Sequence, residues 1–421
     1  MSEKPVSTEE QRSPGDLVQP SLVLSSVAVN VHSLLIGLLL VDIGLTFGAP
    51  VGVAGQIRTV SYVVSVIVGL LMAVLSIRFR HKSLLLVGLL SLSFSALGCA
   101  VAPSFMVMLI FFSIWGVALA MVPPMGLTLT GEHFPQEMRA SVIGWITAGA
   151  AIAYVVGAPV ISFLAGLGGW RWAFLGFALP VSLGSLLFIM KGVPTTARRP
   201  YEAPSLGEYF AGFTGVFSNR SADACLAGGA LSMASWAAIL TYGPSFYRQR
   251  FLISTGSASI FILVLAVCYM LGSVVGGRLV KRVGRKPLTV LAALFAGIFT
   301  IAFTLVPDLG VSMIAVFVAS ASAGMRVAAS ASLTLEQVPD FRGAMMSISS
   351  TAGNLGSSLG VGIGGAMLLS FDYEGVGVFL GAMGVAAAMV FQFLAIDPTR
   401  HEQDGVWELG RHVRKRTLFE G

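Results

Sequence analysis

Asp42, His32 and Arg326 are ionisable side chains set inside long apolar runs. An ionised group in hydrocarbon costs about 2.5–3.5 kcal/mol on insertion scales, so such a group faces protein or water rather than lipid. Packing gains nothing from that cost, which makes these positions the first candidates for chemistry. Asp42 lies on a helix face turned away from the stripe of Gly37, Gly44 and Gly48. If the glycines mark tight helix contact, the acid points to a different surface, a cavity on this reading, where a carboxyl can carry a proton. A solvated acid near the helix end, or a structural hydrogen bond, is the competing reading. Arg326 belongs to the small, polar stretch VASASAGMRVAASASL, and Ser322, Arg326 and Ser330 share one face at i, i+4 spacing. That face leaves room for water or an anionic group, and a guanidinium forks onto carboxylate or phosphate. Snorkelling toward the helix end is the competing account. His32 can titrate, but near a helix start it is expected to be solvated. Asn30, Tyr242, Trp236 and Asn354 are further candidates, each equally suited to an interhelical hydrogen bond or interfacial anchoring.

Catalytic constellations do not emerge. Gly360, Gly362 and Gly365 fall in a GxGxxG pattern, but a dinucleotide fingerprint needs a preceding strand and a soluble helix, so close helix packing is the reading. Cys99, Cys225 and Cys268 lie in separate apolar runs without metal-ligand spacing and read as small packing residues. There is no HExxH, CxxC pair, P-loop or nucleophile elbow. The chain is therefore expected to be no enzyme and to use no cofactor, metal or nucleic acid.

The elements that must hold these residues are membrane helices. Of 421 residues, 55% are hydrophobic and 11% charged, against roughly 25% charged in soluble domains. Mean hydropathy is +0.85. A span takes about 20 apolar residues. Such runs are predicted near 22–47, 54–77, 83–102, 105–130, 141–166 and 172–190, then near 224–246, 257–280, 287–306, 311–334, 344–370 and 375–396. They are long and apolar all round rather than short and alternating, which excludes a barrel. The expected class is an all-α integral membrane protein of twelve spans. Most of the 26 Lys and Arg then fall on the cytoplasmic side, with Arg58, Arg171, Arg248 and Arg250 on the outer side and Arg326 inside a span. By the positive-inside rule both termini are cytoplasmic, and the cell membrane is the expected location. The division is a tail at 1–20, a six-helix bundle at 21–190, a cytoplasmic loop at 191–222, a second bundle at 223–396 and a tail at 397–421. A short surface helix is expected around Leu206–Phe217. The cluster Arg411, Arg414, Lys415 and Arg416 could touch anionic lipid or be simply solvated.

The two bundles repeat each other. AVLSIRFRHK before Lys82 and GRLVKRVGRK before Lys286 stand at an offset of 204. The same offset carries Glu132 and Pro135 onto Glu336 and Pro339, and Arg139 meets Arg342 after one deletion. GRLVKRVGRKPL at 277–288, GWRWAF at 169–174 and VDIGLTFGAP at 41–50 resemble, in turn, the loop signature and sixth-helix start of the major facilitator superfamily and the first-helix pattern of its drug:proton antiporters. The resemblance implies two pseudo-symmetric six-helix halves around a midplane site. It places Asn30, Tyr242 and Trp236 on cavity-lining helices. It makes Arg78, Arg80, Lys82, Gly277, Lys281, Arg282, Gly284, Arg285 and Lys286 the gating loops. The chain departs from the pattern at Ile77 and Lys281, where the family carries an acid, at Arg80 in place of glycine, and at Phe112 in place of an arginine. The implied function is alternating-access transport of a small organic solute, with proton-linked efflux preferred. Uptake of a small organic anion on Arg326 and a non-transporting receptor remain the alternatives. The expected partners are the solute, protons and the lipid bilayer, with the chain acting as a monomer.

Overall fold

The computed structural model of the protein describes residues 17–194 and 214–398. The tail before residue 17, most of the expected surface helix and the C-terminal basic cluster lie outside the described residues. The first set of spans is α1 (Val18–Phe47), α2 (Gln56–Arg78, preceded by the turn Val51–Ala54), α3 (His81–Ala100), α4 (Phe105–His133), α5 (Gln136–Gly168) and α6 (Trp170–Gly192). The second is α7 (Arg220–Arg250), α8 (Thr255–Val283), α9 (Arg285–Leu305), α10 (Leu309–Leu335) and the long run Arg342–Phe393. Asp372, at φ 55 and ψ −168, breaks that run into α11 (342–371) and α12 (373–393). Twelve spans result, as hydropathy predicts, and no strand occurs among the described residues.

Several helices run about a turn beyond their apolar cores because polar residues cap them. Asn219 Oδ1 accepts from the amides of Ser221 and Ala222, and Asp308 Oδ1 accepts from Val311 N at 2.9 Å. Large apolar side chains such as Phe163, Leu187 and Ile260 are exposed along the helices. A water-facing surface seldom tolerates apolar area on that scale, whereas lipid accepts it.

Contacts gather the chain into two compact units. Of the described residues, one unit holds those up to Leu35 and those from Leu71 to the end of α6; the other holds Ile36–Leu70 and α7–α12. In the first, His32 ties α1 to α3. Its Nδ1 lies 3.1 Å from Ala28 O and its Nε2 3.2 Å from Leu92 O. The solvated histidine expected from sequence is thus fully buried. The reason is the helix start at Val18, which sets His32 about four turns in. Trp115 Nε1 donates to Val29 O at 3.2 Å and adds α4 to the group.

In the second unit α7 and α11 pack backbone to backbone, where Gly360 meets the main chain of Ala234 too closely for any Cβ. Gly284, between α8 and α9, has φ 95 and ψ 157, a region open essentially to glycine alone. Gly284→Ala should therefore lower stability by about 1–2 kcal/mol, read as a drop in the thermal midpoint of the purified protein in detergent. An unchanged midpoint would show that the turn relaxes without strain.

Candidate functional site

Arg58, Ser61 and Ser65 recur at i, i+3 and i+7 and so share one face of α2. That face meets α7 and α11 within the second unit. Arg58 is 1% exposed and its Nη1 donates to Thr241 Oγ1 at 2.8 Å. Asn354 Nδ2 donates to Ser65 Oγ at 2.9 Å, and Gln56 Nε2 to Gly362 O at 3.3 Å. Tyr242, fully covered, donates its hydroxyl to Val361 O at 2.8 Å. At the α1–α2 end of this polar seam Arg248 forks onto Asp42, Nη1 to Oδ2 at 2.5 Å and Nη2 to Oδ1 at 2.9 Å. Nη1 of Arg248 also lies 3.4 Å from Leu38 O. The Arg248 side chain is 12% exposed and that of Asp42 31%, so the fork is more open on its acidic side.

Counting basic residues gives Arg58 and Arg248 only a side of the membrane. The structure gives them partners: Arg58 belongs to the first turn of α2 and is buried against α7, while Arg248 closes the last turns of α7 onto α1. Asp42 does leave the Gly37 face, and what it meets is a guanidinium. A bidentate, charge-assisted pair is among the stronger polar contacts a protein makes, and it depends on the carboxylate being ionised.

Arg326 occupies a second place in the same unit. It is 3% exposed, so it does not snorkel. Nη1 lies 3.5 Å from Ser330 Oγ and Nη2 3.7 Å from Met233 Sδ. Trp236, stacked on Tyr269 at 4.8 Å between ring centroids, lines the same small cavity. The structure therefore brings Asp42, Tyr242 and Asn354 into one seam and Arg326 and Trp236 into another locus. His32 joins neither, and Asn30 donates to Ser26 O of its own helix at 2.9 Å.

The loops at the opposite helix ends are tied by backbone capture. Lys82 Nζ donates to Met190 O at 3.0 Å and to Val193 O at 2.6 Å, fastening α3 to the end of α6. His81 pairs with Glu132, and Arg342 with Glu336 at 2.9 Å. Arg139, the repeat partner of Arg342, folds back onto Gly131 O and Phe134 O at 2.7 and 3.0 Å. Arg78 ends α2 and Arg80 is the extended residue before α3; Gly277, Lys281 and Arg282 lie in the closing turns of α8. Gly284 makes the turn, and Arg285 and Lys286 open α9. Nη1 of Arg285 is buried with no hydrogen-bond partner among the described residues.

Comparison with known proteins places this arrangement. The family model for the Major Facilitator Superfamily matches residues 22–310 and 226–419. The chain is 28% identical to the probable 4-methylmuconolactone transporter of Cupriavidus pinatubonensis, over 83% of this chain and 80% of that one. It is 23% identical to the uncharacterized MFS-type transporter YwfA of Bacillus subtilis, over 90% and 92% of the two chains. The solved structure of a D-xylose–proton symporter superposes with a TM-score of 0.76 at 17% identity, covering 91% of this chain and 99% of that one. A twelve-helix fold whose charges sit in interhelical seams, matched over nearly its whole length, makes this chain a membrane transporter of the Major Facilitator Superfamily.

Proposed function

We propose that the protein is a proton-linked exporter of a small organic solute, working by alternating access as a monomer in the cell membrane with both termini cytoplasmic. The observation that carries the proton linkage is the fork between Asp42 and Arg248. On this reading the α1–α2 end faces outward, where a proton reaches the partly exposed carboxylate. Protonation removes one charge of the pair, the two forked bonds weaken, and α1 is released from α7. Opening of that end is thereby linked to proton uptake. The family membership supplies the transport cycle, and the antiporter-like VDIGLTFGAP segment around Asp42 favours export. The Cupriavidus relative makes 4-methylmuconolactone the first solute to try.

The test is transport in liposomes containing the purified protein. Asp42→Asn imitates the protonated carboxyl and cannot cycle. It should reduce solute movement driven by a pH gradient by about tenfold, the scale of one lost charge-assisted interaction, while solute exchange without a gradient persists. Equal response of wild type and variant to the gradient would end the proton-linked reading.

A further inference from the structure

Arg326 is a cation in the membrane-spanning part of the second unit, and no carboxylate among the described residues lies within ion-pair distance of it. Its hydrogen-bond partners, a serine hydroxyl at 3.5 Å and a thioether at 3.7 Å, occupy two of five N–H donors and supply no negative charge, and Tyr269 stands beside it. A buried charge left in that condition is costly unless something of opposite sign approaches it.

Space and donors for that approach are present. Beside the guanidinium is a cavity of about 10 Å³, the room one water-sized atom needs. Among its lining groups, Ser232 donates to Gly228 O and Thr300 to Ala296 O, so those hydroxyl protons are taken. Ser235 and Trp236 have no hydrogen-bond acceptor for their O–H and N–H among the described residues, although both residues are more than nine-tenths buried. A buried indole N–H normally finds a partner. Three residues with unused donors therefore line one small void, whose remaining wall includes Ala319 and Ala323. Weak screening by such apolar walls strengthens attraction to a negative group.

We propose that this cavity is a binding site for a small monovalent anion, held by Arg326 with Ser235 and Trp236 as hydrogen-bond donors. A halide, slightly larger in radius than water, enters as the Arg326 and Ser235 side chains give, and the carboxylate head of an organic solute places one oxygen in it. The site does not depend on the proton linkage or on the direction of transport.

Thermal unfolding of the full-length protein in detergent, at fixed ionic strength in the sodium salt of HEPES, is followed while chloride or acetate replaces HEPES, whose sulfonate head is too large for the cavity. The midpoint is expected to rise by several degrees and to saturate, as for a ligand bound only by the folded state. Arg326→Gln should abolish the rise. Should that variant fail to fold, Ser235→Ala with Trp236→Phe removes the two neutral donors and should move half-saturation to about tenfold higher anion. A response to chloride alone identifies a resident halide. A response to acetate alone identifies the carboxylate subsite of a carried solute, and mutual competition identifies one site open to both. A wild-type midpoint identical in all three salts overturns the proposal, as does an undiminished response in Arg326→Gln. No pH gradient enters the measurement, so its failure is separable from failure of proton coupling.

Discussion

Asp42→Arg is expected to cut solute transport about 100-fold, Arg248→Asp to do the same, and the double reversal to recover most of that loss, because one forked pair is restored with its ends exchanged. An ordinary surface pair would not justify such a figure, since exposed ion pairs are worth roughly 0–1 kcal/mol. Here the contact is bidentate, at 2.5 and 2.9 Å, and the arginine is 12% exposed, so screening is weak. Hydrogen bonds to charged groups contribute about 1.5–3 kcal/mol, and a reversal replaces attraction by repulsion between like charges. Recovery should stop short of wild type. Arg248 also donates to Leu38 O, and an aspartate at 248 cannot. The measurement is initial solute flux in liposomes at matched protein content. A double reversal as inactive as either single one, with the protein folded, would remove the fork from the transport cycle.

Which parts of this were legible beforehand follows from how local each signal is. The twelve spans are written in hydropathy, a property of each segment alone, and Asp372, which parts α11 from α12, lies in the short gap that hydropathy left between them. Asp42 and Arg326 were visible because a charge inside an apolar run is anomalous wherever it points. Their surroundings were not visible. Arg248 stands 206 residues from Asp42, and Ser65 289 from Asn354, so no spacing rule relates them. Arg58 was overlooked for a different reason. Counting basic residues by loop assigns a side to each charge but not a helix face, and the recurrence of Arg58, Ser61 and Ser65 on one face was the available signal. The burial of His32 turned on where α1 begins, and helix ends are what hydropathy places least well. The repeat fixed positions but not partners: Arg139 donates to the Gly131 and Phe134 carbonyls, whereas its counterpart Arg342 pairs with Glu336, and Glu132 pairs with His81 instead.

Gly365→Val is expected to reduce transport by about 150-fold while leaving the protein folded. A Cβ at Gly365 would lie 2.5 Å from Gly52 O and 2.6 Å from both Gln56 Nε2 and the Tyr242 hydroxyl. The nearest of these is main chain, which cannot rotate aside, so α11 must draw back from the turn before α2. Overpacking of this kind costs about 1–3 kcal/mol, and the separation also strains the bonds from Gln56 to Gly362 O and from Tyr242 to Val361 O. A total near 3 kcal/mol lowers the population of the closed seam by roughly 150-fold, and a transporter that cannot close one seam cannot alternate. Loss of the seam is distinguishable from loss of the fold by a cysteine at Ser65, which is fully buried against Asn354, in a background with Cys99, Cys225 and Cys268 replaced. Its labelling by a water-soluble maleimide should accelerate by the same factor, while the thermal midpoint shifts little. Gly362→Ala is the control, because its Cβ would meet the Thr59 methyl at 3.1 Å, a side-chain contact that can yield. It should transport within a few-fold of wild type. If Gly365→Val labels and transports like the control, backbone contact between α11 and the 51–54 turn is not what holds this seam.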